Sequence, residues 1–276
     1  MNIKYRTNKR TTRENEKNGV TWLTYNIFEQ YHIKCAVSTR LGGVSEGYLG
    51  TMNMSTTRGD KAEYVEKNHE IFAEAVGYDR KRLVMSDQIH ETTVLRIDEA
   101  DAGKGVVRRG VDGLMTDVPK LPLMTFYADC VPLMFYDTKH HVIAMSHSGW
   151  RGTVMRIGKI TLQRMHEEYG TLPCNVAAAI GPSICQSCYE VDEPLLEAFT
   201  GEFGSEAEKW FLPSDKEAHY LLDLAAACRY TLIDAGMDEA DIAMPDLCTC
   251  CNPDYLFSHR VSNGKRGNLS VVMELL

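Results

Sequence analysis

The sequence predicts an α/β (α+β) chain, a single domain in which a mixed β-sheet is flanked by helices. Three observations lead there. Apolar runs of strand length alternate along the chain with stretches of helical period. Several of the strand-like runs are separated only by turns, so neighbouring strands run in both directions. The 276 residues are 44% hydrophobic and 25% charged, a balance that suits a folded domain with a sizeable core.

Taken in order, the first 18 residues are polar and read as a mobile segment, with the domain proper running over 19–276. KCAVSTR (34–40) reads as a strand that enters LGGVSEG, where glycines permit positive φ and close backbone approach. KAEYVEKNHEIFAEAVG (61–77) reads as a helix, because Ala62, Val65, His69, Phe72 and Val76 recur on one face. Asp60 suits its cap, Gly77 suits its end, and His69 reads as a core histidine. RLVMSDQIH and TTVLRID, within 82–98, read as strand, turn, strand. LPLMTFYADC and VPLMFYD (121–137) form an apolar block broken at Asp129-Cys130 and Pro132. HHVIAMSHS reads as a further strand. The helix after it carries Val154, Ile157, Thr161 and Met165 on one face and ends at Gly170. NVAAAIGPSIC (175–185) is a buried strand that breaks at Gly-Pro. Asp223 caps a helix bearing Leu224, Cys228, Thr231 and Ala235, which Gly236 stops. NLSVVMEL closes the chain as a strand.

Net charge is −8, which argues against nucleic-acid or anionic-membrane partners. No apolar run approaches the roughly 18 residues of a membrane span, and the polar start lacks the apolar stretch of a signal peptide. The expectation is a cytoplasmic protein. Nine cysteines without an export signal point away from a disulfide framework and toward metal binding, catalysis or core packing.

His90, Cys130 and His147 stand out because each follows or ends an apolar strand. There the sheet positions a side chain while the loop opens it to a cleft. Two imidazoles and a thiolate suit Zn²⁺, and three protein ligands leave a fourth position for water or substrate. No H-x-x-x-H spacing ties any of the nine histidines together. The residues alone therefore also admit backbone-bonded histidines and a packed Cys130. A second candidate set is Cys185-x-x-Cys188 with Cys248-x-x-Cys251. In a small zinc ribbon that pair would be a strong signal. Here about 60 residues, including a helix, separate the halves, so core packing is preferred and a structural Cys₄ zinc is the alternative.

STRLGGVSEG (38–47), QIH (88–90), DGLMTD (112–117), ADCVPLMFYD (128–137), HSGWRGTV (147–154), AIGPSICQSCYEV (179–191) and CTCCNPDYLFSHR (248–260) occur in this order. Together they resemble the YfiH/YlmD family, also called the polyphenol-oxidoreductase laccase family, and most of all its YlmD-type members. The resemblance runs from about residue 20 to the end. It implies a single α/β domain on a mixed sheet, distantly similar to a cysteine-dependent deamidating toxin. It implies one catalytic zinc per chain on His90, Cys130 and His147. It also implies phosphorolysis of adenosine, inosine, guanosine and S-methyl-5'-thioadenosine, with accompanying adenosine deamination. The older family label implies copper-dependent phenol oxidation.

The departures are small. Glu91 and Ser148 replace the family's usual glycine and alanine, and VSNGKRGN follows FSHR where a second arginine is common. That last change leaves Arg260, Lys265 or Arg266 as the helper at phosphate. Gly149 and Gly152 fit a tight strand-to-helix turn that presents Arg151 beside backbone N–H groups to an anion. Phosphorolysis needs an anion site, for which Arg40, Arg151 and Arg260 in the motif loops are candidates; Asp129 and Arg40 are the catalytic candidates, Asp129 by relaying protons or orienting a ligand histidine. Gln88, Arg151, Ser258 and Arg260 are the candidate substrate- or phosphate-binding groups. Two other enzyme classes compete. A multicopper oxidase is disfavoured because no H-x-H occurs. A cysteine hydrolase would use Cys130 as nucleophile and His147 as base.

Overall fold

The computed structural model describes residues 2–276. The chain opens with strands β1 (Thr12–Lys17), β2 (Val20–Tyr25) and β3 (Ile33–Ser38), then helix α1 (Ala62–Val76). Short strands β4 (Val84–Met85), β5 (Val94–Arg96), β6 (Gly105–Val106) and β7 (Gly113–Thr116) lead to β8 (Leu123–Tyr127), β9 (Val131–Asp137) and β10 (Val142–Ser148). Helices α2 (Trp150–Val154) and α3 (Ile157–Tyr169) follow, then β11 (Val176–Ile180). Next come β12 (Glu190–Asp192), α4 (Glu193–Phe203), β13 (Phe211–Pro213), β14 (His219–Leu222) and α5 (Leu224–Asp234). β15 (Ile242–Ala243) and β16 (Leu269–Leu275) close the chain.

The expected single sheet is in fact two large mixed sheets and a small one. The first has the order β1-β2-β3-β16-β8-β4-β6, the second β15-β11-β9-β10-β7-β5, and the third β12-β14-β13. The two large sheets stack face to face. Leu23, Val37, Tyr127 and Val271 of the first meet Leu114, Met134, Ile143 and Met145 of the second in one core. The other face of the second sheet, with Leu133, Phe135 and Ala144, is covered by α3, α4 and α5. The other face of the first, with Ala36, Met124 and Val272, is covered by α1 through Phe72 and Ala73. Central strands are therefore buried on both faces, and every residue of β9 and β10 is buried. Such strands read as unbroken apolar runs, which is why no alternation revealed which sheet each belongs to.

Several local expectations change. The strand-turn-strand read at 82–98 is not a hairpin: β4 joins the first sheet and β5 the second. The boundary expected at residue 19 falls inside a hairpin, since β1 pairs along its whole length with β2. TRENEK carries no apolar side chain because β1 is an edge strand with largely exposed side chains. The single helix expected after β10 is broken where Arg156 turns left-handed, with φ 58°. Asp60 lies one residue before the cap of α1, and its Oδ2 accepts from Ser45 and Asn53. Gly77 ends α1 as expected, with φ 84° and its N–H on Ala73 O at 2.7 Å. His69 is a core histidine, its Nε2 2.8 Å from Met54 O. Asp223 caps α5 by accepting from Ala226 N–H. Among the described residues, no helix is long and apolar enough to cross a membrane.

Candidate metal centre

β9 and β10 pair antiparallel, with His147 opposite Pro132 and Ser148 opposite Val131. Cys130, the residue just before β9, therefore lies beside the end of β10 that carries His147. His90 arrives on the loop between β4 and β5, where the chain passes from one sheet to the other. Its Nε2 lies 3.9 Å from Cys130 Sγ, near the spacing of two ligands on one ion at about 2.0–2.3 Å. One ligand atom from each of His90, Cys130 and His147 lies within 4.8 Å of the others. The two imidazoles meet edge to face with centroids 4.7 Å apart.

A carboxylate that the sequence reading missed holds this group together. Asp112 Oδ1 accepts from His90 N–H at 2.9 Å, and Oδ2 accepts from Ile89 and Glu91 N–H at 3.1 and 3.0 Å. Oδ1 also meets His147 Nδ1 at 2.9 Å, which leaves Nε2 for the ligand position. Asp112 is fully buried. Its three backbone contacts hold His90 at φ 67°, a conformation that side chains other than glycine adopt rarely. The arrangement is that expected of a carboxylate–histidine pair behind a metal ligand, in which the outer carboxylate fixes tautomer and ring direction. The signal for it in the sequence is Asp112, the first residue of the DGLMTD motif.

The charges agree with a ligand set. Burial pushes Cys130 up, but the His147 charge and hydrogen bonds from both imidazoles outweigh it and bring the thiol down to about 6. Burial pushes His147 down, but the Cys130 thiolate and Asp112 raise it to about 9. Burial likewise raises Asp112, and the bonds from His147, Glu91 and Ile89 take it below its ordinary value. Gly149 has an ordinary φ of −74°, so it is not there for turn geometry. A Cβ at that position would stand 3.0 Å from His90 Cδ2 and 3.2 Å from Cys130 Sγ.

The trio opens into a cleft of ≈ 750 Å³ between the loop after β4, the start of α1 and the segment before β16. Gln88 lines it, fixed by bonds to the Phe126 backbone at 2.7 and 2.8 Å. Arg58 and Arg266 line it too, and the Nε of each is buried without a hydrogen-bond partner. Burial first, and then the neighbouring Arg58 charge, lower Arg266 to about 10. The other arginines singled out in the sequence point elsewhere. Arg40 donates to Gly50 O and Pro253 O and lies over Phe257, so its guanidinium is engaged between its own loop and the segment before β16. Arg151 lies over Trp150 on the exposed side of α2. Arg260 donates to Glu190 O and lies over Tyr189. Ser258 is buried and accepts from Val261 N–H. Asp129 is held by Thr249 Oγ1 at 2.6 Å and Arg260 N–H at 2.7 Å. Its carboxylate thus braces the loop before Cys130, and the contact with a ligand histidine belongs to Asp112.

Residues 34–275 match the family of multi-copper polyphenol oxidoreductase laccases. The chain is 33% identical over 237 residues to purine nucleoside phosphorylase YlmD of Bacillus subtilis, covering 84% of each chain. It is 35% identical over 233 residues to adenosine deaminase RL5 of an unknown prokaryotic organism, covering 82% of this chain and 87% of the other. The crystal structure of Bacillus licheniformis hypothetical protein YfiH superposes with a TM-score of 0.90 at 29% identity, over 97% of this chain and all of the other. The motifs, the mixed α/β fold and these likenesses agree: the chain belongs to the multi-copper polyphenol oxidoreductase laccase family, with YfiH and YlmD as relatives.

Proposed function

We propose that the protein is a zinc-dependent purine nucleoside phosphorylase with accompanying adenosine deaminase activity. Its substrates are adenosine, inosine, guanosine and S-methyl-5'-thioadenosine, cleaved by phosphate to free base and (methylthio)ribose 1-phosphate. The observation that carries the reading is one cleft with a three-residue metal-ligating group at its base and, in its wall, two arginines whose Nε is buried without a partner. Its volume suits a nucleoside with phosphate. The names of the YlmD and RL5 relatives supply the substrate class.

The donor set fits zinc: two imidazoles, one thiolate already drawn toward its charged form, and a carboxylate fixing the tautomer of His147. Bound by these three residues, zinc supplies a Lewis acid with one position left for substrate or water. The chain's own side chains divide the remaining work. Arg58 and Arg266 receive the anion, which satisfies their free Nε–H groups and relieves the repulsion between them. Of the groups offered from the sequence, Arg266 keeps the phosphate role, joined by Arg58 in place of Arg40, Arg151 and Arg260. Gln88, rigidly held, supports the cleft wall beside His90. Phosphorolysis uses both parts of the site, whereas deamination uses the metal end alone.

The test is a substrate screen with phosphate present and absent, reading base, ribose 1-phosphate and inosine together with metal content. Phosphate-dependent release of base by a zinc-loaded protein supports the reading. Base release that ignores phosphate refutes it. The Cys130–His147 ion pair also favours a second reading, a cysteine hydrolase. A metal-free protein that turns over and is inactivated by alkylation of Cys130 would select it. Stoichiometric copper with phenol oxidation would select the laccase.

A further inference from the structure

The fold closes the distance between the two CxxC pairs. One sulfur from each of Cys185, Cys188, Cys248 and Cys251 lies within 4.8 Å of the others. We propose that these four cysteines form a second, closed metal site, one zinc ion held by four thiolates, that staples the loop after β11 to the loop before β16.

Cys251 Sγ is 3.8 Å from Cys185 Sγ and 3.5 Å from Cys188 Sγ. A tetrahedral zinc with Zn–S of about 2.3 Å sets its sulfurs about 3.8 Å apart, so little movement is needed. All four cysteines are free thiols, and their separations are far from the roughly 2.05 Å of a disulfide. Backbone N–H groups of Cys185 and Cys251 point at Cys248 Sγ at 3.2 and 3.4 Å. Amide donors aimed at sulfur favour the thiolate that a metal needs. Nothing in this cluster leaves an open coordination position, which separates it from the His90, Cys130, His147 group. Tetrathiolate sites of this kind are structural. This places two metals on the chain where the sequence reading expected one.

The neighbourhood gives the staple a task. A β-bridge already joins Ser183 to Cys248, and Thr249 N–H donates to Ser183 O. Thr249 and Arg260, on the stapled loop, hold both oxygens of Asp129. Asp129 is left-handed at φ 82° and directly precedes the ligand Cys130. Asn252, next to Cys251, exchanges two hydrogen bonds with the Lys4 backbone. The zinc would thus fix the loop that braces the cleft without touching substrate.

Elemental analysis of protein prepared with zinc present is expected to find about two zinc ions per chain. The Cys188→Ser/Cys251→Ser variant should keep about one, and His147→Ala should lose the other. Cys250→Ser, one residue from the cluster but outside it, should keep both. Should the double variant fail to fold, alkylation of the native wild-type protein decides. The exposed Cys174 should react at once, and the four cysteines should be masked until a chelator is added. A single zinc in the wild-type protein, unchanged in the double variant and lost in His147→Ala, would overturn the proposal. So would iron in the four-cysteine site, or a mass short of the hydrogens lost to disulfides. These results bear on the cysteine cluster alone, since the catalytic reading depends on the zinc that leaves with His147.

Discussion

Asp112→Asn is the sharpest probe of the metal centre, because it changes charge and donor character with almost no change of shape. If the amide nitrogen takes the Oδ2 position, it faces the N–H groups of Ile89 and Glu91, which now oppose it at 3.1 and 3.0 Å. If it takes the Oδ1 position, it opposes His90 N–H and forces His147 Nδ1, at 2.9 Å, to accept. The His147 proton then moves to Nε2, the nitrogen that faces the metal. Either orientation removes about two hydrogen bonds to a buried charge, at about 1.5–3 kcal/mol each, or about 3–6 kcal/mol. Domains of this kind have roughly 5–15 kcal/mol in total. At about 2–4 °C per kcal/mol the metal-free protein should melt roughly 6–24 °C lower. Zinc affinity should fall about 10- to 100-fold, the usual cost of losing an outer carboxylate. The sign with pH follows from Asp112 being held below its ordinary value. Its contribution is present above the unfolded value of about 3.9 and is lost as pH falls through the folded one. Chelator competition and thermal melts of metal-free protein measure both effects. Affinity within about threefold of wild type, with an unmoved melting point, would refute this role of Asp112.

Four further outcomes are expected. Gly149→Ala should fold but bind zinc poorly, because its Cβ would press on His90 Cδ2 at 3.0 Å and Cys130 Sγ at 3.2 Å; full zinc occupancy by elemental analysis would contradict the packing. Arg266→Met should slow phosphorolysis about 10- to 100-fold, through loss of a charge-assisted bond worth about 1.5–3 kcal/mol, while deamination persists. Equal loss of both activities with zinc retained would mean that Arg266 holds the nucleoside. Arg58→Met should raise the KM for phosphate without lowering the melting point, since it removes a buried unpaired donor and a like-charge neighbour; a clear fall in stability would argue for a structural Arg58. In metal-stripped protein, alkylation of Cys130 should rise with pH around a midpoint of about 6, and His147→Ala should move that midpoint upward; an ordinary thiol midpoint near 8.5 would rule out the ion pair.

Much of the site was legible before the fold. Covalent order alone shows that His90, Cys130 and His147 each sit at the end of an apolar run, and the motif series supplies the family. Helices α1, α3 and α5 show in their apolar period, because each buries one face only. What the chain order does not carry is which remote groups face each other. Asp112 meets a histidine 35 residues away. Arg58 and Arg266 converge from opposite ends of the chain, and two CxxC pairs meet across two helices. Strands buried on both faces have no alternation, so the division into two stacked sheets had no signature. The polar edge strand β1 had no apolar residue to mark it. Residue type sets what a side chain can do, and that is local. Whether a carboxylate orients a ligand or braces a loop is decided by the position of its partner, and that position exists only once the sheets have stacked.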